Sequence, residues 1–240
     1  VTVTLYEVGG CVRDELLGVK SKDIDYTAVV TGDVEHPYAH LRRYLVDQGF
    51  TIFVETPQYL TIRAQFPKLN GQKRAVTADF VLARKDGEYT DGRRPDTVEA
   101  GTLFDDLKRR DFTVNAIAKD HELGLYIDPF GGQEDLKAGV LRCVGSAEDR
   151  LREDALRALR ALRFAVTKGF VLDPELWIAM RSEWLPLLVA KVSAERRREE
   201  LSKAFRHDTL ETLFCLGQLP SDLKEAIFAG GLRLDATLKD

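Results

Sequence analysis

With 240 residues, the chain has room for one or two domains and a sizeable core. Its 44% hydrophobic and 31% charged residues are the balance of an ordinary globular protein, and no apolar run approaches the ~20 residues needed to cross a bilayer. A net charge of −4 excludes nucleic-acid binding by the field of the whole molecule, so any such contact must come from local basic patches.

In chain order, a strand LYEV is followed by the turn Gly9-Gly10, a helix from Cys11 to Leu17 and a strand from Asp23 to Val30. Asp23 and Asp25 are two apart on that strand and share a face, while Ile24 points the other way into a core. Adjacent carboxylates repel unless one shifts its pKa or both bind metal. The glycine turn leaves backbone N–H groups for phosphate oxygens. Together these features suggest metal-assisted phosphoryl or nucleotidyl transfer; taken singly, each also fits a solvated strand face or a tight turn. His36 and His40 lie one helical turn apart in HPYAH, but with no third ligand nearby they read as surface residues.

TIFVE, YLTIRAQF and RAVTADFVLA read as strands from their β-branched and aromatic content. Asp79, in the last of these, is either a third carboxylate of the metal site or an edge-strand aspartate. The polar, glycine-containing segment between Arg84 and Val98 reads as a mobile loop. In LKRRDFTVNAIAKD, Asp111 is placed to cap a helix starting at Phe112. Asp111 and Asn115 would then share a helical face that a ribose 2′-OH can bridge, and Arg109 and Arg110 would meet triphosphate oxygens. The bland alternative is a capped helix with a solvated basic flank.

Strand signals vanish after Gly145, and five amphipathic helices follow. Ser146, Asp173, Ser193 and Ser221 sit where N-caps belong; Gly169 and Gly217 sit where helices should stop. The expected division is therefore a mixed-sheet head over 1–145 and a helical part over 146–240. Cys11, Cys143 and Cys215 are far apart and lack metal-ligand spacing, which fits reduced thiols. No signal peptide is expected ahead of the first strand, and the cytoplasm is the expected compartment.

Asp154 and Arg157 are three apart in EDALR, one a pure acceptor and the other a pure donor. Cytosine and adenine each place an exocyclic amino donor beside a ring-nitrogen acceptor, which this pair matches. Guanine and uracil present the reverse and would leave polar groups unpaired, at roughly 1–3 kcal/mol each. An isolated motif of this kind is equally a salt-bridged helix surface. Arg160 and Arg163 continue the stripe toward phosphates, while Leu156, Leu159 and Leu162 mark the core face.

The segments GGCVRDELLGVKSKDIDY, RRDFTVNAIA, DPFGGQEDLKAGVLRCVG, EDALRALRALRF and SAERRREEL, in this order from Val8 to about Lys203, resemble the class II tRNA nucleotidyltransferase and poly(A) polymerase family. NAIAKD is more similar to the CCA-adding members, since bacterial poly(A) polymerases typically carry a leucine-tyrosine-tyrosine run after the asparagine. The resemblance implies an α+β protein: a nucleotidyltransferase head with a mixed β-sheet, then an all-helical neck and short body. It implies template-independent addition of C, C and A to tRNA 3′ ends from CTP and ATP, with release of pyrophosphate. Asp23 and Asp25 would hold two Mg²⁺, with Asp79 the candidate third ligand. Gly9, Gly10, Arg13 and Arg110 would line the triphosphate, Asp111 and Asn115 would favour ribose, and Asp154 with Arg157 would choose the base. The Arg84–Val98 loop would assist the switch from C to A. Bacterial relatives continue into long helical domains, so RNA would be held here by arginines around Arg150 to Arg163 and Arg196 to Arg198. The alternatives are a poly(A) polymerase or an A-only tRNA enzyme, and a catalytically silent nucleotide-binding module.

Overall fold

The computed structural model describes residues 1–21, 23–67, 76–87 and 97–232. Its contacts divide it into two compact units, and the division in the chain falls between Gln133 and Glu134. The sequence expectation set the boundary after Gly145. The strand after Glu134 explains the difference: Val140–Leu141 pairs with Val171–Leu172 and so belongs with the helical part.

In the first unit, β1 (Thr2–Val8), α1 (Gly10–Leu16), β2 (Ile24–Thr31), α2 (Pro37–Asp47), β3 (Thr51–Thr56), β4 (Thr61–Gln65) and β5 (Thr77–Leu82) are followed by the short pair β6 (Arg84–Asp86) and β7 (Val98–Ala100). Then come α3 (Leu103–Lys108), β8 (Ala118–Asp120) and β9 (Tyr126–Ile127), with α4 (Gly132–Ala138) at the division. The seven-stranded sheet has the order β3-β4-β5-β2-β1-β8-β9. Only β2 and β5 run parallel; the other neighbours are antiparallel, so the sheet is mixed as expected.

Strand alternation gives the sheet two different faces. Ile24, Tyr26 and Ala28 of β2 point toward α2, where Leu41 and Leu45 meet Ile62, Ala64, Ala78 and Phe80 in the core. Tyr26 stacks on Phe80 at 5.0 Å between centroids. Asp25 and Thr27 alternate with these residues and therefore project from the opposite face. That face carries the polar chemistry.

The second unit contains β10 (Val140–Leu141), α5 (Ala147–Glu153), α6 (Leu156–Lys168), β11 (Val171–Leu172), α7 (Pro174–Ala179), α8 (Leu185–Val189), α9 (Ala194–His207), α10 (Thr209–Gly217) and α11 (Ser221–Phe228). Ser146 and Asp173 cap α5 and α7 by accepting from Asp149 and Glu175 backbone N–H groups, and α6 stops at Gly169, whose φ of 70° is left-handed. Ser193 holds the N-cap position of α9 without a side-chain bond, and Ser221 is already the first residue of α11, after Pro220. The buried stripe Leu156, Leu159, Leu162 and Val166 gives α6 its core face. Arg197 is buried on α9: its guanidinium donates to the carbonyls of Val192, Ala226, Ile227 and Ala229, fastening the end of α11. Among the described residues no helix is long and apolar enough to cross a membrane.

Candidate active site

The register of β1 against β2 sets Val8 opposite Asp25, so the chain enters the glycine turn directly beside this carboxylate. Gly9 has φ 75°, the left-handed region that favours glycine, and a Cβ on it would come within 3.1 Å of Arg110 Nη1. The turn is thus conformationally committed to glycine, and a Cβ there would press on the Arg110 guanidinium. Gly10 opens α1, and Arg13 N–H donates to Gly9 O at 3.1 Å. The buried Cys11 thiol donates to Val8 O at 3.1 Å, and burial pushes its pKa up, so it serves as packing beneath the turn rather than as a nucleophile.

Asp25 pairs in register with Asp79 on β5, and Asp79 with Arg63 on β4, giving a lateral row Asp25, Asp79, Arg63 on one sheet face. Burial of the Asp25 carboxylate raises its pKa; Asp79 and Asp23 raise it further, while Arg110 and Arg63 oppose them. Asp23 is exposed and lies just ahead of β2, which starts at Ile24, one residue later than expected. Both oxygens of Asp79 are taken by Arg63, Nε to Oδ1 and Nη2 to Oδ2, each at 2.6 Å. Asp79, the candidate third ligand, is therefore a salt-bridge partner in this structure. Among the described residues no group of three or more His, Cys, Asp or Glu is gathered to hold a metal ion.

LKRRDFTVNAIAKD does not form the expected helix from Phe112. It makes a 3₁₀ turn at Thr113–Asn115 and then strand β8, which pairs with the free edge of β1, and Phe112, Val114, Ala116, Ile117 and Ala118 are all fully buried. Asp111 and Asn115 nevertheless meet: Asn115 Nδ2 donates to Asp111 Oδ1 at 2.9 Å. Arg13 Nη1 donates to Asn115 Oδ1 at 2.6 Å, linking α1 to this turn. Gly132, from DPFGG, lies so close to Thr113 O that a Cβ would stand 2.2 Å away. That motif therefore packs under the turn.

Sequence reasoning missed the group that organises these arginines. Asp106 is completely buried and accepts from Thr27 Oγ1 at 2.7 Å, Arg109 Nη2 at 2.5 Å and Arg110 Nη2 at 3.0 Å. Burial alone would raise its pKa, but Arg110 and Arg109 together outweigh it and hold the carboxyl near 2. Arg110 stays beside Gly9, whereas Arg109 is drawn to Asp106 and to Asp86 rather than toward a triphosphate position. The spacing of Asp106 from Arg109 and Arg110, three and four residues along a helix, was the available signal. The expected loop Arg84–Val98 falls largely on 88–96, outside the described residues.

In the second unit Asp154 and Arg157 do not share one continuous helix. Asp154 leaves α5 at φ −148°, and its Oδ1 accepts from Leu156 N–H at 3.0 Å, a local side-chain bond that ends one helix and starts the next. Its Oδ2 accepts from Arg196 at 2.8 Å. Arg157, buried at the start of α6, donates to Arg150 O at 2.9 Å and to Glu153 Oε2 at 2.6 Å. Arg160 and Arg163, expected to face phosphates, are both directed at the buried Glu200 of α9.

The poly(A) polymerase head domain, as a sequence family, matches residues 5–142. The CCA-adding enzyme of Geobacillus stearothermophilus is 40% identical over 200 residues, which is 82% of this chain and 44% of that protein. The structure of the Bacillus stearothermophilus CCA-adding enzyme in complex with CTP superposes with a TM-score of 0.74 at 32% identity, covering 95% of this chain and 51% of that one. A tRNA nucleotidyltransferase complexed with a primer tRNA and an incoming ATP analog gives 0.70 at 31% identity, covering 95% and 60%. The chain thus spans about half the length of the curated relatives it matches.

Proposed function

Because the chain belongs to the poly(A) polymerase head domain family, we propose that it is a tRNA nucleotidyltransferase that adds C, C and A to tRNA 3′ ends from CTP and ATP. The observation that carries this reading is the register placing Asp25 against the Gly9-Gly10 turn, with Asp23 two residues before it. The relatives are named CCA-adding enzymes, which supports the substrate class. Its place of action on this reading is the cytoplasm.

The donor set fits magnesium. Asp23 and Asp25 offer only hard carboxylate oxygens, and Mg²⁺ is usually held by one or two carboxylates with phosphates and waters completing its shell. Bound there, Mg²⁺ would lower the pKa of the RNA 3′-OH and offset charge on the departing pyrophosphate. The turn N–H groups of Gly9 and Gly10 and the Arg110 guanidinium receive triphosphate oxygens. Arg13 holds Asn115, and Asn115 with Asp111 presents the pair that reads a ribose hydroxyl. In the second unit Asp154 accepts the exocyclic amino hydrogen of cytosine or adenine in place of Arg196, and Arg157 donates to the ring nitrogen. Arg160 and Arg163 stand along the same helix and supply positive charge once Glu200 is shared.

The test is incubation with tRNA lacking its 3′ end, Mg²⁺ and each labelled nucleotide. CTP alone should give two additions, and ATP should enter only afterwards and once. Long A tails on unstructured RNA, without use of CTP, would assign a poly(A) polymerase instead. Arg157→Ala should lose about 1–3 kcal/mol of discrimination against UTP and GTP, the scale of a bidentate base contact. The ratio of CTP to UTP incorporation is the readout, since a purely structural arginine would lower both rates together.

A further inference from the structure

Arg63 projects from β4 and takes both oxygens of Asp79, which is the strand neighbour of Asp25. We infer that Arg63 is a positioning residue that limits the metal site to two carboxylates. This rests on the reading of Asp23 and Asp25 as ligands. Adjacent strands lie about 4.8 Å apart, so a released Asp79 would stand within one strand spacing of Asp25 on the same face. Carboxylates at that separation can share a cation. The Arg63–Asp79 pair is solvent-accessible, with side-chain exposures of 54% and 27%. A typical exposed ion pair adds little to folding stability, and a bidentate one sits at the upper end of that small range. Its two-point geometry instead engages both oxygens that Asp79 could offer to a metal and sets a guanidinium charge against them.

Two carboxylates leave most of a cation's coordination positions to phosphate oxygens and water. A third would grip the ion more tightly, favour larger cations and remove places needed by substrate. Arg63 thereby keeps affinity low and the substrate positions open.

Mn²⁺ alone, titrated into the full chain, tests this by electron paramagnetic resonance, with water-proton relaxation counting its bound waters. Arg63→Met should bind Mn²⁺ roughly tenfold tighter, the lower end of what one partner at a metal site is worth, and with fewer bound waters. Arg63→Met/Asp79→Asn should return both readouts to the parent values, and Arg63→Lys should lie between. Unchanged or weaker binding by Arg63→Met would overturn the inference. So would tighter binding with the same number of waters, which would mean that only charge had changed. Asp25→Asn separates the two levels. If it abolishes binding while Arg63→Met matches the parent, only the role of Arg63 fails; if it leaves binding intact, the metal reading fails and this inference with it.

Discussion

Asp25→Asn should abolish nucleotide addition, with at least a ~10²–10³-fold loss of turnover, the scale of removing one preorganised electrostatic group. The amide keeps the size and shape of the side chain but cannot supply the negative charge that a cation requires. Among the described residues no hydrogen bond uses the Asp25 carboxylate, so the substitution removes no structural partner. It also removes the desolvation of the charge and the repulsion from Asp79 and Asp23, which together raise the pKa of the native group against Arg110 and Arg63. Asp25→Asn should therefore melt at or above the parent temperature while losing activity. Single-turnover assays in Mg²⁺ decide the matter: a near-normal rate would remove the metal site from the mechanism. Asp23→Asn should behave in the same way.

Asp106→Ala should have the largest effect on stability. It leaves two arginines and the Thr27 hydroxyl without their common acceptor in a fully buried place, and breaking a buried ion pair costs about 3–5 kcal/mol. Denaturant melts of the parent and variant would show the difference, and a cost under about 1 kcal/mol would contradict it. The pH dependence has a definite sign. The folded pKa, near 2, lies below the ordinary value of 3.8, so the contribution is complete above that ordinary value and is lost as pH falls through about 2. Roughly 2–3 kcal/mol is at stake over this window, at 1.36 kcal/mol per unit. The parent should lose stability between about pH 4 and pH 2 more steeply than Asp106→Asn, which has no proton to take up at this position.

The sheet was legible because its strands carry their own signals. TIFVE, YLTIRAQF and RAVTADFVLA became β3, β4 and β5, and the glycine turn with Asp25 came from spacing alone. The largely apolar segment VNAIAKD was ambiguous. A short buried strand and a buried helix look alike without a polar face, and the segment passes from a 3₁₀ turn into β8, for which β1 offers an edge. The break at Asp154 was hidden for another reason. EDALRALRALRF has good helical periodicity throughout, and only a side-chain bond to Leu156 N–H interrupts it. Charge partners were the least visible of all. Arg63 and Asp79 are sixteen residues apart in sequence and meet only through the strand register. Asp106 could have been paired with Arg109 and Arg110 from helical spacing, but its burial against Thr27 depends on a contact 79 residues distant.

Three consecutive arginines invite treatment as one basic patch, yet α9 deals them out about 100° apart. Arg196 is committed to Asp154, Arg197 to buried carbonyls at the end of α11, and Arg198 to solvent. Replacing the run as a block would therefore confound three experiments: Asp154 set loose, a helix end unfastened and a surface charge removed. Loss of RNA binding in such a triple variant would say nothing about an RNA surface. Arg198 alone can be exchanged as a probe of that surface, with Arg197 kept in place because its guanidinium holds the end of α11.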